Sequence, residues 1–251
     1  MFFGYMDWRL MLILGGCMLL SLAASGFVKM RFRRGQSVQL QSGYTGEQVA
    51  QMILKSEDIT DVSVVEGQGF LSDHYAPTEK ALHLSPEVFN GTNAAAAGVA
   101  AHEVGHALQH HQGDLSMWGR TILVYPAYFG AQFAPILIMI SAGLGLTQHH
   151  HGGFGSGGFS WAWFMAMAGV VLFGISTLCS LIVVFNEFNA SARARVQLAR
   201  LGIVHGQEEE ATVSGVLTAA GLTYLAAAIG SLVQLLYWMW RAGLIGGRRN
   251  D

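Results

Sequence analysis

The sequence predicts a mainly α-helical membrane protein, with about four transmembrane helices and a small α+β domain between the first and second of them. Three observations predict it. Of 251 residues, 52% are hydrophobic and only 12% are charged, and that charged share is about half of what a soluble domain carries. Four apolar stretches, at 10–28, 122–146, 161–185 and 213–240, contain no Lys, Arg, Asp or Glu. Each is long enough to cross about 30 Å of hydrocarbon as a helix. The polar section between the first two, 29–120, has helix and strand patterns of its own and holds His102-Glu103-Val104-Gly105-His106.

The first stretch is expected to be a retained anchor. Arg9 and Ser21-Leu22-Ala23 would suit a cleaved leader, but the apolar run continues past Cys17, and Lys29, Arg31, Arg33 and Arg34 follow at once. Positive charge there holds that end in the cytoplasm. Trp8, Trp161, Trp163, Trp238 and Trp240 lie near the ends of the stretches, where indole rings settle at the membrane boundary. Gly and Ala in the last two stretches suit close helix contacts.

Within 29–120, residues 46–55 read as a short helix with Thr45 at its N-cap and Glu47 in its first turn. Residues 61–66 (DVSVVE) and 80–85 (KALHLS) alternate as half-buried strands do. Asp73-His74-Tyr75 falls between them, as a connecting loop or as a functional segment. Ser85-Pro86-Glu87 starts a turn or short helix, and the Ala-rich run 94–111, ending near Gly113, reads as a buried helix. The His- and Gly-rich piece 149–160 reads as a flexible connector. The last polar section, 186–211, holds Arg193, Arg195 and Arg200, then the acidic run from Glu208 to Glu210, which reads as a solvated loop. The expected organisation is thus a first transmembrane helix (1–28), a catalytic domain (29–120), helices two and three (121–185), a polar segment (186–212), and helix four with a tail (213–251).

On a helix, His102 and His106 are one turn apart on one face, where both imidazoles reach a single ion, and Glu103 lies beside them to take a proton from water. This is the spacing of a zinc hydrolase. A catalytic zinc takes three protein ligands and leaves a fourth position to water. For the third, the acidic residues are few: between Asp114 and Glu208 the chain has only Glu187, directly after the third apolar stretch. A lone carboxylate at the end of an apolar helix is costly unless it is used. Two crossings separate His102 from Glu187, so both face the same side of the membrane. His110 extends the histidine spacing by another turn, but three successive turns spread their side chains over about 12 Å, too far to wrap one tetrahedral ion. His111, His149, His150, His151 and His205 are weaker candidates. Cys17 and Cys179 sit in apolar runs, which argues against a thiolate site and a disulfide framework.

At three segments the chain resembles the YugP-like neutral zinc metallopeptidases, membrane-embedded enzymes of prokaryotes. These are 71–90 (LSDHYAPTEKALHLSPEVFN), 98–109 (GVAAHEVGHALQ) and 186–195 (NEFNASARAR). The resemblance implies a zincin-like catalytic domain of the gluzincin type, with Glu187 as third zinc ligand. It also implies kinship with heat-shock and CaaX-type membrane zincins, which place an Asp four residues after the ligand Glu. Ser191 stands there in this chain. The strand beside the active helix in such folds, the sheet edge along which a peptide is held, is expected at 80–85.

The expected activity is zinc-dependent hydrolysis of peptide bonds, with zinc on His102, His106 and Glu187 and with Glu103 as general base. Arg193, His74, Tyr75 and His83 are candidates for stabilising the oxyanion. The expected partners are the lipid bilayer and a protein or peptide substrate. A net charge of −2 without a basic, aromatic-interleaved stripe excludes nucleic acid. Lys29, Arg31, Arg33, Arg34, Arg120, Arg193, Arg195 and Arg200 share the motif's side and outnumber Arg9, Arg241, Arg248 and Arg249 on the other. That excess puts the active site in the cytoplasm and both termini outside. A metal transporter would need ionisable residues in mid-span, which the spans lack. A non-catalytic zinc-binding scaffold has no need of Glu103.

Overall fold

The computed structural model describes residues 8–150, 161–242 and 244–246. Seven helices and three strands follow in chain order among them: α1 (Trp8–Gln36), α2 (Gly46–Ser56), β1 (Ser63–Glu66), β2 (His74–Ala76), β3 (Ala81–Leu84), α3 (Pro86–Phe89), α4 (Ala94–His111), α5 (Leu115–His150), α6 (Trp161–Arg200) and α7 (Gly206–Arg241). From 151 on, the expected connector lies outside the described residues, as do Arg248 and Arg249.

The chain forms two compact units. One takes in the described residues of Met1–Leu19, Arg120–Ile182 and Ala227–Asp251; the other joins Leu20–Gly119 to Val183–Ala226. The first is helical, packed around Ala134, Ile138, Val170, Phe173, Tyr237 and Trp238. Three described helices, α1, α6 and α7, are long and apolar enough to cross a membrane. The remaining expected stretch, 122–146, lies in α5, where the apolar run among the described residues is Ala127–Ser141. No residue in the apolar window of α1 is fully buried within the protein. Its exposed Leu12, Met18, Leu19 and Leu22 are the surface that a hydrocarbon solvent would take.

The second unit is built around α4, whose residues from Ala94 to Gln109 are buried except Val99. A helix covered on every face must have small side chains, which explains its run of Ala and Gly. Asn93 caps it, Oδ1 accepting from Ala96 N at 3.0 Å. α2 packs against it through Val49, Ala50, Ile53 and Leu54. Thr45 and Gln48 start α2 with a reciprocal pair of side-chain-to-backbone hydrogen bonds.

The sheet has the order β1-β3-β2. β1 runs parallel to β3, with Ser63 beside Ala81 and Glu66 beside Leu84. β2 runs antiparallel to it, pairing Tyr75 with Leu82. The expected strand at 80–85 is therefore central and not an edge. The edge that touches α4 is β2, made from the segment that the sequence left between a connecting loop and a functional one. With three residues, β2 is too short to show an alternating pattern.

One further expectation changes in the last polar section. The polar segment after 186 is largely helical, since α6 runs on through Glu187 to Arg200 as one helix. The acidic run is helical and only partly solvated: Glu209 is buried in the first turns of α7. Its carboxylate accepts from Gln41 N and His205 N, both at 2.8 Å. A buried acid at a helix start is favoured when it takes backbone N–H groups in this way.

Candidate metal centre

α4 and α6 meet where Gly105, which has no side chain, lies against the backbone of Ala190. A Cβ on Gly105 would lie 2.6 Å from the carbonyl oxygen of Ala190, so only glycine admits this approach. Gly105 is flanked by His102 and His106, and Ala190 by Glu187 and Ser191. The close crossing brings these groups together.

His102 Nε2 lies 3.2 Å and His106 Nε2 3.5 Å from the same oxygen, Oε2 of Glu187. Ligand atoms of the three residues all lie within 4.8 Å of one another, and all three side chains are buried. The two imidazole rings are near perpendicular, at 79°. Among the described residues this is the one such group of metal-binding side chains.

Both rings are held from behind through Nδ1. His106 Nδ1 lies 3.0 Å from Gln109 Oε1, and His102 Nδ1 lies 3.2 Å from Ser191 Oγ. Glu103 is buried beside them, its Oε2 accepting from the backbone N–H of Tyr75 at 3.0 Å. β2 thus touches the site through a main-chain donor.

Other candidates are engaged elsewhere. His110 Nδ1 shares a 2.8 Å hydrogen bond with the Tyr75 hydroxyl and is not part of the group. Burial, with the Asp61 charge adding to it, pushes the Tyr75 phenol up and keeps it protonated. Arg193 binds Asn189 Oδ1 at 2.7 Å, Asp114 Oδ2 at 3.0 Å and Gln112 Oε1. His74 and His83 stack on each other with ring centres 4.8 Å apart. His74 Nδ1 meets Ser72 O at 2.8 Å, and His83 Nε2 meets Glu79 at 3.1 Å. Asp73 is tied to Ser85, accepting from its N–H at 2.7 Å, and burial still raises its carboxyl above the usual range. Sequence reasoning missed Gln109, Asn186 and Asn189. The one available signal was position: Gln109 follows His106 by one helical turn, on the same face.

A family model described as "Putative neutral zinc metallopeptidase" matches residues 10–243. The chain belongs to this family. It is also 36% identical over 221 residues to the "Putative membrane protease YugP" of Bacillus subtilis (strain 168), a match covering 86% of this chain and 89% of that protein. No solved structure matches.

The donor set of this family member fits zinc. Two imidazoles and a carboxylate are the borderline donors that this ion takes, in the number a catalytic site uses. Both imidazoles turn Nε2 toward the carboxylate and give Nδ1 to a neighbour, as metal-bound histidines do.

Proposed function

We propose that this chain is a membrane-embedded, zinc-dependent endopeptidase of the gluzincin type, with His102, His106 and Glu187 as ligands and Glu103 as general base. The observation that carries the reading is the convergence of two Nε2 atoms on one buried carboxylate, with Glu103 next to the first of them.

Zinc bound there supplies Lewis acidity, polarising a peptide carbonyl and making water a nucleophile at neutral pH. The protein's own groups do the rest. The Glu103 carboxylate takes the water proton and delivers it to the leaving amine. The Tyr75 N–H holds one oxygen of that carboxylate in place. The buried surroundings of α4 and α6 keep competing water away from the reacting carbonyl. A peptide substrate extends the sheet at β2, because β3 already has a strand on each side. Oxyanion stabilisation falls to His74, Tyr75 or His83 on the sheet side, while Arg193 ties Asn189 of α6 to Gln112 and Asp114 beyond the end of α4. α5 is the second of four crossings, the active site faces the cytoplasm, and substrates are met near the bilayer.

The test is made on the full chain in detergent, measuring zinc content and casein or model-peptide cleavage. Glu103→Gln keeps its metal and loses about 100-fold or more in turnover, the scale of general-base catalysis. Glu187→Ala loses both metal and activity. Undiminished cleavage by Glu103→Gln would remove the mechanism, and full zinc in Glu187→Ala would remove the ligand set.

A further inference from the structure

Gln109 is fully buried, and all four hydrogen-bonding positions of its amide are used. Nε2 donates to the backbone carbonyl of Asn186 and to Asn189 Oδ1, both at 3.0 Å. Oε1 accepts from Asn186 Nδ2 at 3.1 Å and faces His106 Nδ1 at 3.0 Å.

The orientation of this amide follows from its partners. A backbone carbonyl only accepts, so the Gln109 atom that meets Asn186 O must be the nitrogen. Asn189 gives an independent check. Arg193 Nε, which only donates, lies 2.7 Å from Asn189 Oδ1, so that atom is an oxygen and its Gln109 partner is again the nitrogen. The atom facing His106 is then the oxygen, and His106 Nδ1 must carry the proton. In the neutral ring this leaves the Nε2 lone pair directed at Glu187 and available to a metal.

The same side chain also grips the other ligand's helix. Asn186 precedes Glu187, and Asn189 follows it by two residues on α6. We propose that Gln109 is the positioning residue of the metal centre: one amide sets both the tautomer of His106 and the seat of Glu187. Asn189 and Arg193 orient that amide. Arg193 carries the connection on to Gln112 and Asp114 at the end of α4, so the joint is closed at both ends of the turn.

An amide suits this place where a carboxylate does not. A carboxylate would accept from His106 equally well, but it has no N–H for the Asn186 carbonyl or the Asn189 oxygen. It would face both acceptor to acceptor. This separates the double role from that of a simple acceptor behind a histidine.

The inference rests on the zinc-centre reading, and the experiment separates the two. Zinc affinity of the full chain in detergent is measured by competition with a chromophoric chelator. Thermal unfolding of each metal-stripped variant is followed alongside. Gln109→Ala lowers affinity about 10- to 100-fold, the range for residues that orient metal ligands. Gln109→Glu falls by a similar factor. At exposed position 189, where folding is not at stake, Asn189→Leu weakens binding several-fold. Asn189→Asp, which keeps the acceptor oxygen, restores it to within about threefold, as expected if orientation of the amide is what matters. Wild-type affinity in Gln109→Glu or in Asn189→Leu would overturn the double role. So would affinity losses that merely follow losses in metal-free stability. Absence of zinc binding by the wild-type chain would overturn the metal centre itself.

Discussion

His102 and His106 sit one turn apart on α4 and face the same carboxylate, yet the two sides of the centre are supported by unlike means. Behind His106 is an amide with every hydrogen-bonding position filled. Behind His102 is one hydroxyl, whose onward hydrogen bond to Leu217 O stretches to 3.5 Å. That length is at the weak limit for a hydroxyl donor. Near His102 the helices are therefore held mainly by shape, through Gly105 against Ala190. Near His106 they are held by directed polar contacts. A buried site can draw its precision from packing and from hydrogen bonds at once, a few ångströms apart.

The largest effect is expected where both supports depend on one contact. Gly105→Ala places a methyl group 2.6 Å from the Ala190 carbonyl oxygen, and a backbone atom has no rotamer by which to retreat. α6 must shift and take Glu187 with it. Zinc affinity should fall by at least about 100-fold, with a stability loss of about 1–3 kcal/mol, the usual cost of overpacking. Equilibrium dialysis and thermal unfolding read these out. Retained zinc would mean that the two helices adjust without disturbing the ligands, and that packing does not set the ligand distance.

This contact also marks the limit of what the sequence displays. The pair His102 and His106 is legible because the helical period translates spacing into geometry. Glu187 is legible because a lone acid after an apolar run is conspicuous. Helix α4 is recognised by its Ala content and α2 by Thr45. Gln109, Asn186 and Asn189 are not legible in this way, since amides are common and their meaning lies in partners on a different helix. β2 is missed because three residues carry no period, and its loss from the reading put the sheet edge at the wrong strand. Glu209 passes for a solvated charge because its partners, the N–H groups of Gln41 and His205, leave no mark in side-chain identity.

A smaller effect sharpens the comparison of the two histidines. Ser191→Ala removes the hydroxyl behind His102 but leaves the close packing of α4 and α6. Because the onward bond is long, affinity for zinc should fall only about two- to tenfold, at or below the bottom of the range for outer partners of metal ligands. The same chelator competition used for Gln109 measures it. A loss equal to that of Gln109→Ala would abolish the asymmetry and make the two supports equivalent.

The smallest effect is expected on the sheet side, at Tyr75→Phe. Tyr75 reaches α4 twice, through its N–H to Glu103 and through its hydroxyl to His110. The substitution keeps the backbone contact, the aromatic ring and its packing, and deletes only the hydroxyl. His110 is half-buried, so its Nδ1 can exchange this partner for water, and the cost should be about 0.5–1.5 kcal/mol of stability. Zinc content should be unchanged, because neither atom belongs to the ligand group or its supports. Peptide turnover then separates two roles for Tyr75. If its main-chain N–H is what matters, cleavage should stay within about threefold of wild type, since that contact survives. A loss of about 100-fold in turnover at full zinc occupancy would place the hydroxyl among the groups that meet the substrate, on the scale known for a deleted oxyanion donor. β2 would then serve the site with a side chain as well as with its backbone.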